Sequence, residues 1–416
     1  MREKVTRKFS TTPGTRDVLP PESTRLLDTQ AKVLERFRRH GFRPVVTPAL
    51  EYSEVIEEPR LRDSAFKLFD RENQMILLRP EVTTPVARLV AQRLRNSPPP
   101  YKLSYSLPVY RRVGVGRGQS AEFRQAGVEV VGSRSPGEDA GTIALLVDLL
   151  QSLGLRSPAD FALVLGQAAF YRGYLKTFAP DAAGELLAAL AGKDLVRVDE
   201  VSRGLPEKGA AGVKEIPRLV GRATDGAVLA EARRFAKGSG EALAALDNLG
   251  QVLDHLEAVG VLGAVMLDFG LIGRHDYYTG AVYEVYASGL GFTVANGGRY
   301  DNLLRRFGED LPATGFAISL ERLVSVLPEE KPSPLVVLVG SAADATRTAG
   351  DIRASGVPVL HIADDLPLIE AVKYAGTVEA GWVAYPAPGG VKLAPAEPGA
   401  ELALVSAGEL VRRVLP

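Results

Sequence analysis

The chain has no cysteine among its 416 residues. That excludes disulfides, thiolate metal sites and a thiol nucleophile, and it fits a reducing compartment. It also lacks an excess of either charge, with 50 Lys plus Arg against 50 Asp plus Glu. No global field therefore draws it to nucleic acid or an anionic membrane, and a nucleic-acid partner would need a local basic face. Long apolar runs are missing. A stretch such as 142–150 is too short to span a bilayer, and residues 2–10 are polar and basic with no apolar run behind them, unlike a signal peptide. The expected compartment is the cytoplasm, with no membrane partner. The four histidines, His40, His255, His275 and His361, stand singly without an acidic cluster. Structural roles outrank metal ligation for them, and neither a metal nor another cofactor is expected.

What is present is an ordinary globular composition, 46% hydrophobic, in a chain long enough for roughly two or three domains. Residues 22–40 place Leu26, Leu27, Ala31, Val33, Leu34 and Phe37 among Arg and Lys at helical spacing, with Gly41 as the stop. Residues 42–48, β-branched and holding two prolines, read as a strand near an edge or a dimer boundary. Residues 66–79 read as a hairpin, 85–94 as a helix, and 101–110 and 123–131 as strands joined by a glycine-rich, charged segment. Strands adjoining a long loop suit an antiparallel sheet.

From about 168 to 261, Ala, Leu and Glu recur at helical period without strand alternation, which predicts a helical insertion. Strand signals return at 265–271, 280–287 and 292–295. Residues 329–334 read as a linker, and alternating strand and helix signals after it predict a small α/β domain. The expected division is therefore 1–167 and 262–328 as two parts of one core, 168–261 as an insertion and 334–416 as a terminal domain.

Several polar residues admit both a functional and a plain reading. Glu81 and Thr83 follow a strand and open a helix, where they would cap backbone N–H groups or face a pocket. Glu129 lies among Val128, Val130 and Val131 on a strand, so it either faces solvent or is buried with a partner. Gln125, four residues earlier, projects from the same face, and an inward orientation would put an amide and a carboxylate on one wall. The run 276–280, with Tyr277 and Tyr278, would serve as a strand entry with aromatic packing. The double glycine of 296–304 suits a close backbone approach before a helix, or a tight turn. Residues 315–323 are apolar up to Glu321-Arg322, which usually means a surface ion pair, and a functional Arg322 would need a phosphate nearby. Gly114 to Gly118 lacks the Lys-Ser/Thr pair of a phosphate loop and reads as a hairpin tip.

Taken in order, these segments resemble the catalytic core of class II aminoacyl-tRNA synthetases, and the histidyl-tRNA synthetase group in particular, over roughly residues 10–325. Residues 15–20 resemble that group's N-terminal signature, 41–48 the dimer-forming first motif, 110–125 the second and 315–322 the third. The resemblance implies an α+β fold, a class II synthetase-like antiparallel sheet flanked by helices, with the helical insertion and the small C-terminal α/β domain. It implies that Glu81, Thr83 and Gln125 hold the α-ammonium of histidine, with Glu129 and a tyrosine of the Tyr277–Tyr278 pair on its imidazole. Arg111 joins this set, and Arg111 and Arg322 are the candidates for a nucleotide phosphate. A buried carboxylate paired with an imidazole N–H would reject apolar amino acids of similar size, which leave it desolvated and unpaired.

The chain also departs from that group. The synthetase second motif reads Phe-Arg-x-Glu, and here it is Tyr110-Arg111-Arg112-Val113. The synthetases carry a catalytic arginine in Leu-Val-Arg-Gly-Leu-Asp-Tyr-Tyr, and here Gly273 occupies that register beside Arg274. Loss of a preorganised cation at a transition state costs orders of magnitude in rate. The terminal domain carries nine acidic against six basic side chains, a net of −3, which argues against anticodon binding. A histidine pocket without activating groups resembles the synthetase-like regulatory subunits of ATP phosphoribosyltransferase. That likeness implies a non-catalytic subunit that binds histidine as feedback inhibitor and activates a short catalytic phosphoribosyltransferase, as a homodimer within a hetero-octamer. The alternatives are a divergent histidyl-tRNA synthetase in which Arg274 reaches the phosphate through a bulge, and a paralogue that binds another small ligand or RNA.

Overall fold

The computed structural model describes residues 10–112, 120–273, 277–328 and 334–415. The sequence readings at Val113, at Gly114 to Gly118, at Arg274 to Asp276 and over most of the 329–334 linker lie outside these residues. Contacts divide the chain into a larger unit, Met1–Asp17 with Leu26–Leu327, and a smaller one, Val18–Arg25 with Pro328–Pro416.

In chain order the strands of the larger unit are β1 (Arg43–Pro44), β2 (Leu50–Tyr52), β3 (Lys67–Phe69), β4 (Met75–Leu78), β5 (Tyr101–Tyr110), β6 (Glu122–Val131), β7 (Phe161–Gln167), β8 (Val220–Arg222), β9 (Val265–Asp268), β10 (Ala281–Ala287), β11 (Thr293–Arg299) and β12 (Ala313–Ser319). Nine of them form one sheet in the order β1-β5-β6-β12-β11-β10-β7-β9-β8. Its centre is antiparallel, and the β1–β5 and β7–β9 pairs are parallel. β2, β4 and β3 form a separate antiparallel sheet that contains the expected hairpin.

The sheet has two unlike faces, and the period of 2 along β6 explains them. Ala126, Val128 and Val130 point into the main core with the helices Glu22–Arg39, Pro136–Ser152 and Gly240–Ala258. Gln125, Gly127 and Glu129 point to the opposite face. The apolar run 142–150 is the buried body of the helix Pro136–Ser152, which starts where Ser135 Oγ accepts the Gly137 N–H at 3.2 Å with Pro136 in the first position. On the opposite face a second core of Val82, Val86, Val90, Leu103, Tyr105 and Leu304 sits beside the pocket.

Three sequence expectations need correction. The strand over 42–48 shortens to Arg43–Pro44 at the sheet edge, because Pro44 and Pro48 donate no ladder hydrogen bonds. The stretch 168–261 is not wholly helical: Val220–Arg222 pairs with β9 and extends the main sheet. Three residues give too short an alternation to register. Of the two readings of the double glycine at 297–298, the turn fails and the close backbone approach stands: both residues lie within β11, between β10 and β12, and a Cβ on Gly297 would lie 2.4 Å from Gly315 O.

The smaller unit is a five-stranded sheet, with β13 (Val336–Val339), β14 (Val359–Ile362), β15 (Trp382–Ala387), β16 (Gly390–Pro395) and β17 (Ala403–Val405) in the order β14-β13-β15-β16-β17. Its helices are Ala343–Ala354, Leu368–Thr377 and Ala407–Val414. Among the described residues, no helix is long and apolar enough to cross a membrane.

Candidate functional site

On the face opposite the main core, β6, β12, β11 and β10 form the floor of a pocket of about 460 Å³, a size suited to a small metabolite. The floor is low because side chains are missing where strands meet: Gly127 pairs with Tyr105, and Gly315 with Glu129. A Cβ on Gly127 would lie 2.5 Å from Tyr105 Oη, and one on Gly315 would overlap the Glu129 carboxyl. The glycines therefore let a tyrosine hydroxyl and a carboxylate lie flat across the sheet.

All seven candidates for histidine line this one pocket: Glu81, Thr83, Arg111, Gln125, Glu129, Tyr277 and Tyr278. Arg322 joins them. Glu81 satisfies both of its readings at once, because its carboxylate accepts the Thr84 N–H at 2.9 Å at the start of the helix Thr83–Leu89 while facing the pocket. Gln125 Oε1 accepts the Val82 N–H at 3.1 Å, which ties this wall to β6. The Arg111 guanidinium donates from Nε to Pro80 O at 2.7 Å and stands over the Phe123 ring.

Glu129 is a strongly perturbed acid. Burial pushes its carboxyl up to about 8, and the Glu81 charge adds to the rise; hydrogen bonds with Tyr300, Thr83 and Tyr105 oppose it. The Tyr300 hydroxyl donates to Glu129 Oε2, and the Tyr105 hydroxyl to Oε1 at 3.3 Å. Tyr277 packs edge-on against Tyr300 with centroids 5.7 Å apart, and against Tyr278 at 4.9 Å. One end of the pocket is thus a ring-lined recess around a carboxyl group, and another holds Glu81 and Gln125.

The apolar run before Glu321-Arg322 does not end in a surface ion pair. It is β12 followed by the helix Leu320–Val326. Glu321 accepts the Arg124 N–H at 2.9 Å, and Arg322 turns toward the pocket, donating to Thr293 O at 2.9 Å over the Phe292 ring. Arg322 lies near enough to Arg111 to work with burial in lowering its pKa, against the Glu81 charge. Two cationic side chains therefore remain at the pocket.

Position 273 supplies none. Gly273 lines the cavity with φ +85, and a Cβ there would lie 2.5 Å from the Tyr278 ring, so neither the conformation nor the space suits an arginine on this backbone. Among the described residues, no group of three or more His, Asp or Glu side chains could hold a metal.

Sequence reasoning missed Tyr300, Asn296 and Glu284 as pocket groups, and Tyr105 as the hydroxyl that backs Glu129. Tyr300 lies in the run 296–304, whose double glycine draws the reading to the backbone and away from the tyrosine hydroxyl. The signal for Tyr105 was a strand tyrosine opposite a strand glycine, which becomes readable only when the β5–β6 register is known.

A family model described as histidyl-tRNA synthetase matches residues 14–323. The ATP phosphoribosyltransferase regulatory subunit of Rubrobacter xylanophilus is 71% identical over 415 residues, covering 100% of both chains. Among solved structures, an ATP phosphoribosyltransferase regulatory subunit/histidyl-tRNA synthetase from Bacillus halodurans C aligns with a TM-score of 0.79 at 28% identity, over 91% of this chain and 98% of that one. The histidyl-tRNA synthetase of Nostoc sp. PCC 7120 aligns with a TM-score of 0.82 at 21% identity, over 97% of this chain and 99% of that one, a likeness of fold alone. With the sheet, the pocket and these matches together, the chain belongs to the histidyl-tRNA synthetase family, and within it to the ATP phosphoribosyltransferase regulatory subunits.

Proposed function

We propose that this chain binds free histidine in the pocket and, as the regulatory subunit of ATP phosphoribosyltransferase in histidine biosynthesis, activates a short catalytic subunit that histidine then inhibits. The observation that carries this reading is a pocket with an amino-acid-sized set of polar groups and a glycine at position 273. In it, Glu81, Thr83 and Gln125 receive the α-ammonium, and Glu129 with the tyrosines Tyr277 and Tyr278 receives the imidazole. Arg111 stands between these ends. An imidazole N–H gives the buried Glu129 carboxyl a partner, which an apolar side chain of similar size does not. Inhibition is a population shift: histidine binds one arrangement of the subunits better than the other, and that difference in affinity is all it contributes. The subunit acts as a homodimer within a hetero-octamer.

The test is reconstitution. Mixing the chain with a short ATP phosphoribosyltransferase is expected to raise phosphoribosyl transfer, and histidine is expected to suppress it. No activation at any mixing ratio would sink the reading. Arg111 and Arg322 at the same pocket favour a second reading, a divergent histidyl-tRNA synthetase that still grips a nucleotide phosphate. Histidine-dependent exchange of pyrophosphate into ATP, or charging of tRNA, would support that reading, and silence in both assays would remove it.

A further inference from the structure

We infer that the buried Arg299–Asp139 pair is a positioning device for the ring end of the pocket, holding from beneath the sheet the backbone that carries Tyr300, Tyr277 and Tyr278. This rests on the histidine-binding reading above. Arg299 closes β11, so the alternation of the strand sends its side chain to the helix face while Tyr300 projects to the pocket face. Neither Arg299 nor Asp139 lines the pocket.

The guanidinium uses its planar fork on several segments at once. Nε donates to Asp139 Oδ2 at 2.9 Å, Nη1 to Ser133 O at 2.9 Å and Asp301 Oδ1 at 3.2 Å, and Nη2 to Ser135 O at 3.2 Å. Asp139 is fully buried in the first turn of the helix Pro136–Ser152, where the helix dipole favours a carboxylate. The strand end is thus fastened to the N-terminus of a long core helix and to the segment before it.

The same residue fastens the tyrosine segment through its backbone. Arg299 O accepts the Thr279 N–H at 2.8 Å, and Thr279 Oγ1 accepts the Asp301 N–H at 3.0 Å. A Cβ on Gly280 would lie 3.0 Å from Arg299 Cδ, so the glycine leaves the channel through which the arginine stem runs. On the other side, Arg172 donates to Tyr278 O. Tyr300 then reaches Glu129, and Tyr277 packs on Tyr300. Packing alone would not require a buried charge pair, which is retained at a desolvation cost. Its fixed geometry sets where the Tyr300 hydroxyl points.

The test compares histidine with β-(2-thienyl)-L-alanine, which is similar in size but has no ring N–H. Calorimetry on the full-length chain would measure both affinities in the wild type, Arg299→Lys and Asp139→Asn, after thermal unfolding and near-UV circular dichroism show that each variant is folded. In both variants histidine affinity is expected to fall roughly 10- to 100-fold, the scale of one lost charge-assisted hydrogen bond, while the analogue changes by less than about threefold. The preference for histidine would therefore collapse. An unchanged preference in a folded variant, or equal weakening of both ligands, would overturn the positioning role and leave the histidine reading standing. A wild type that does not bind histidine would remove the reading and the inference together. If the charge-pair variants do not fold, Thr279→Val removes the hydroxyl that accepts the Asp301 N–H, and with it the side-chain tie between the end of β11 and the tyrosine segment, and the same comparison decides.

Discussion

At the scale of single residues, Glu129 decides how the pocket titrates. Burial holds its titration near 8, so at neutral pH the ligand-free chain carries most of this site as a neutral carboxyl. Folding raises the pKa, so the folded chain keeps a proton that the unfolded chain releases in the ordinary carboxylate range. The contribution to stability is complete below about pH 4.5 and is lost as pH rises through about 8, a change on the order of a few kcal/mol. Glu129→Gln keeps the shape without titrating. Its melting temperature is expected to decline less than that of the wild type between about pH 5 and 9, and parallel curves would mean that the wild-type carboxyl titrates in the ordinary range. Glu129→Ala is expected to weaken histidine binding roughly 10- to 100-fold with the fold intact, as read by calorimetry, and unchanged affinity would put the imidazole elsewhere. The pair Gln125 and Glu129 was legible because four residues on a strand is one face. Tyr300, the hydroxyl that fixes the carboxyl, was not, because its contact with Glu129 joins segments 171 residues apart, and no local periodicity carries that information.

At the scale of elements, the strands make the pocket by what they omit. Gly315 opposite Glu129 and Gly127 opposite Tyr105 open the floor of β6 and β12. Gly315→Ala is expected to destabilise the chain by about 1–3 kcal/mol through overpacking and to abolish histidine binding, because the new methyl group takes the place of the carboxyl. A variant with wild-type melting temperature and affinity would show that the floor is softer than these contacts imply. Gly273 makes the complementary case. Gly273→Arg, which would put a cation in the register that the synthetase resemblance marks as catalytic, is not expected to produce adenylate chemistry: the left-handed conformation costs a side chain about 1–2 kcal/mol, and the Tyr278 ring fills the space. A lowered melting temperature without pyrophosphate exchange is the expected result, and exchange above background would show that one missing cation was the whole difference. Strands β5, β6 and β10 and the long helices were readable because alternation or helical period ran over seven or more residues. β8 and the shortened β1 were not, because two or three residues carry no period, and partner strands select them.

At the scale of the whole molecule, the sequence read as a sheet, a helical stretch and a terminal α/β segment, and the order of segments was enough to indicate the family. What it left open was how one sheet can serve as both core wall and pocket floor, since that follows from the register of strands far apart in the chain. The pocket lies wholly within the larger unit, and this sets a last expectation. Histidine at 100 times its dissociation constant stabilises a folded body that holds its site by about 2.7 kcal/mol. Amide hydrogen exchange is therefore expected to slow in β6, β10, β11 and β12 when histidine is added. Amides of β13, β15 and β16, which have their own sheet and apolar clusters, should exchange at the same rate with and without the ligand. Slowing confined to the larger unit would match a ligand seated on the glycine floor. Slowing centred on β13 and β15 would place histidine in the terminal unit and would end the assignment of Glu129 as its partner.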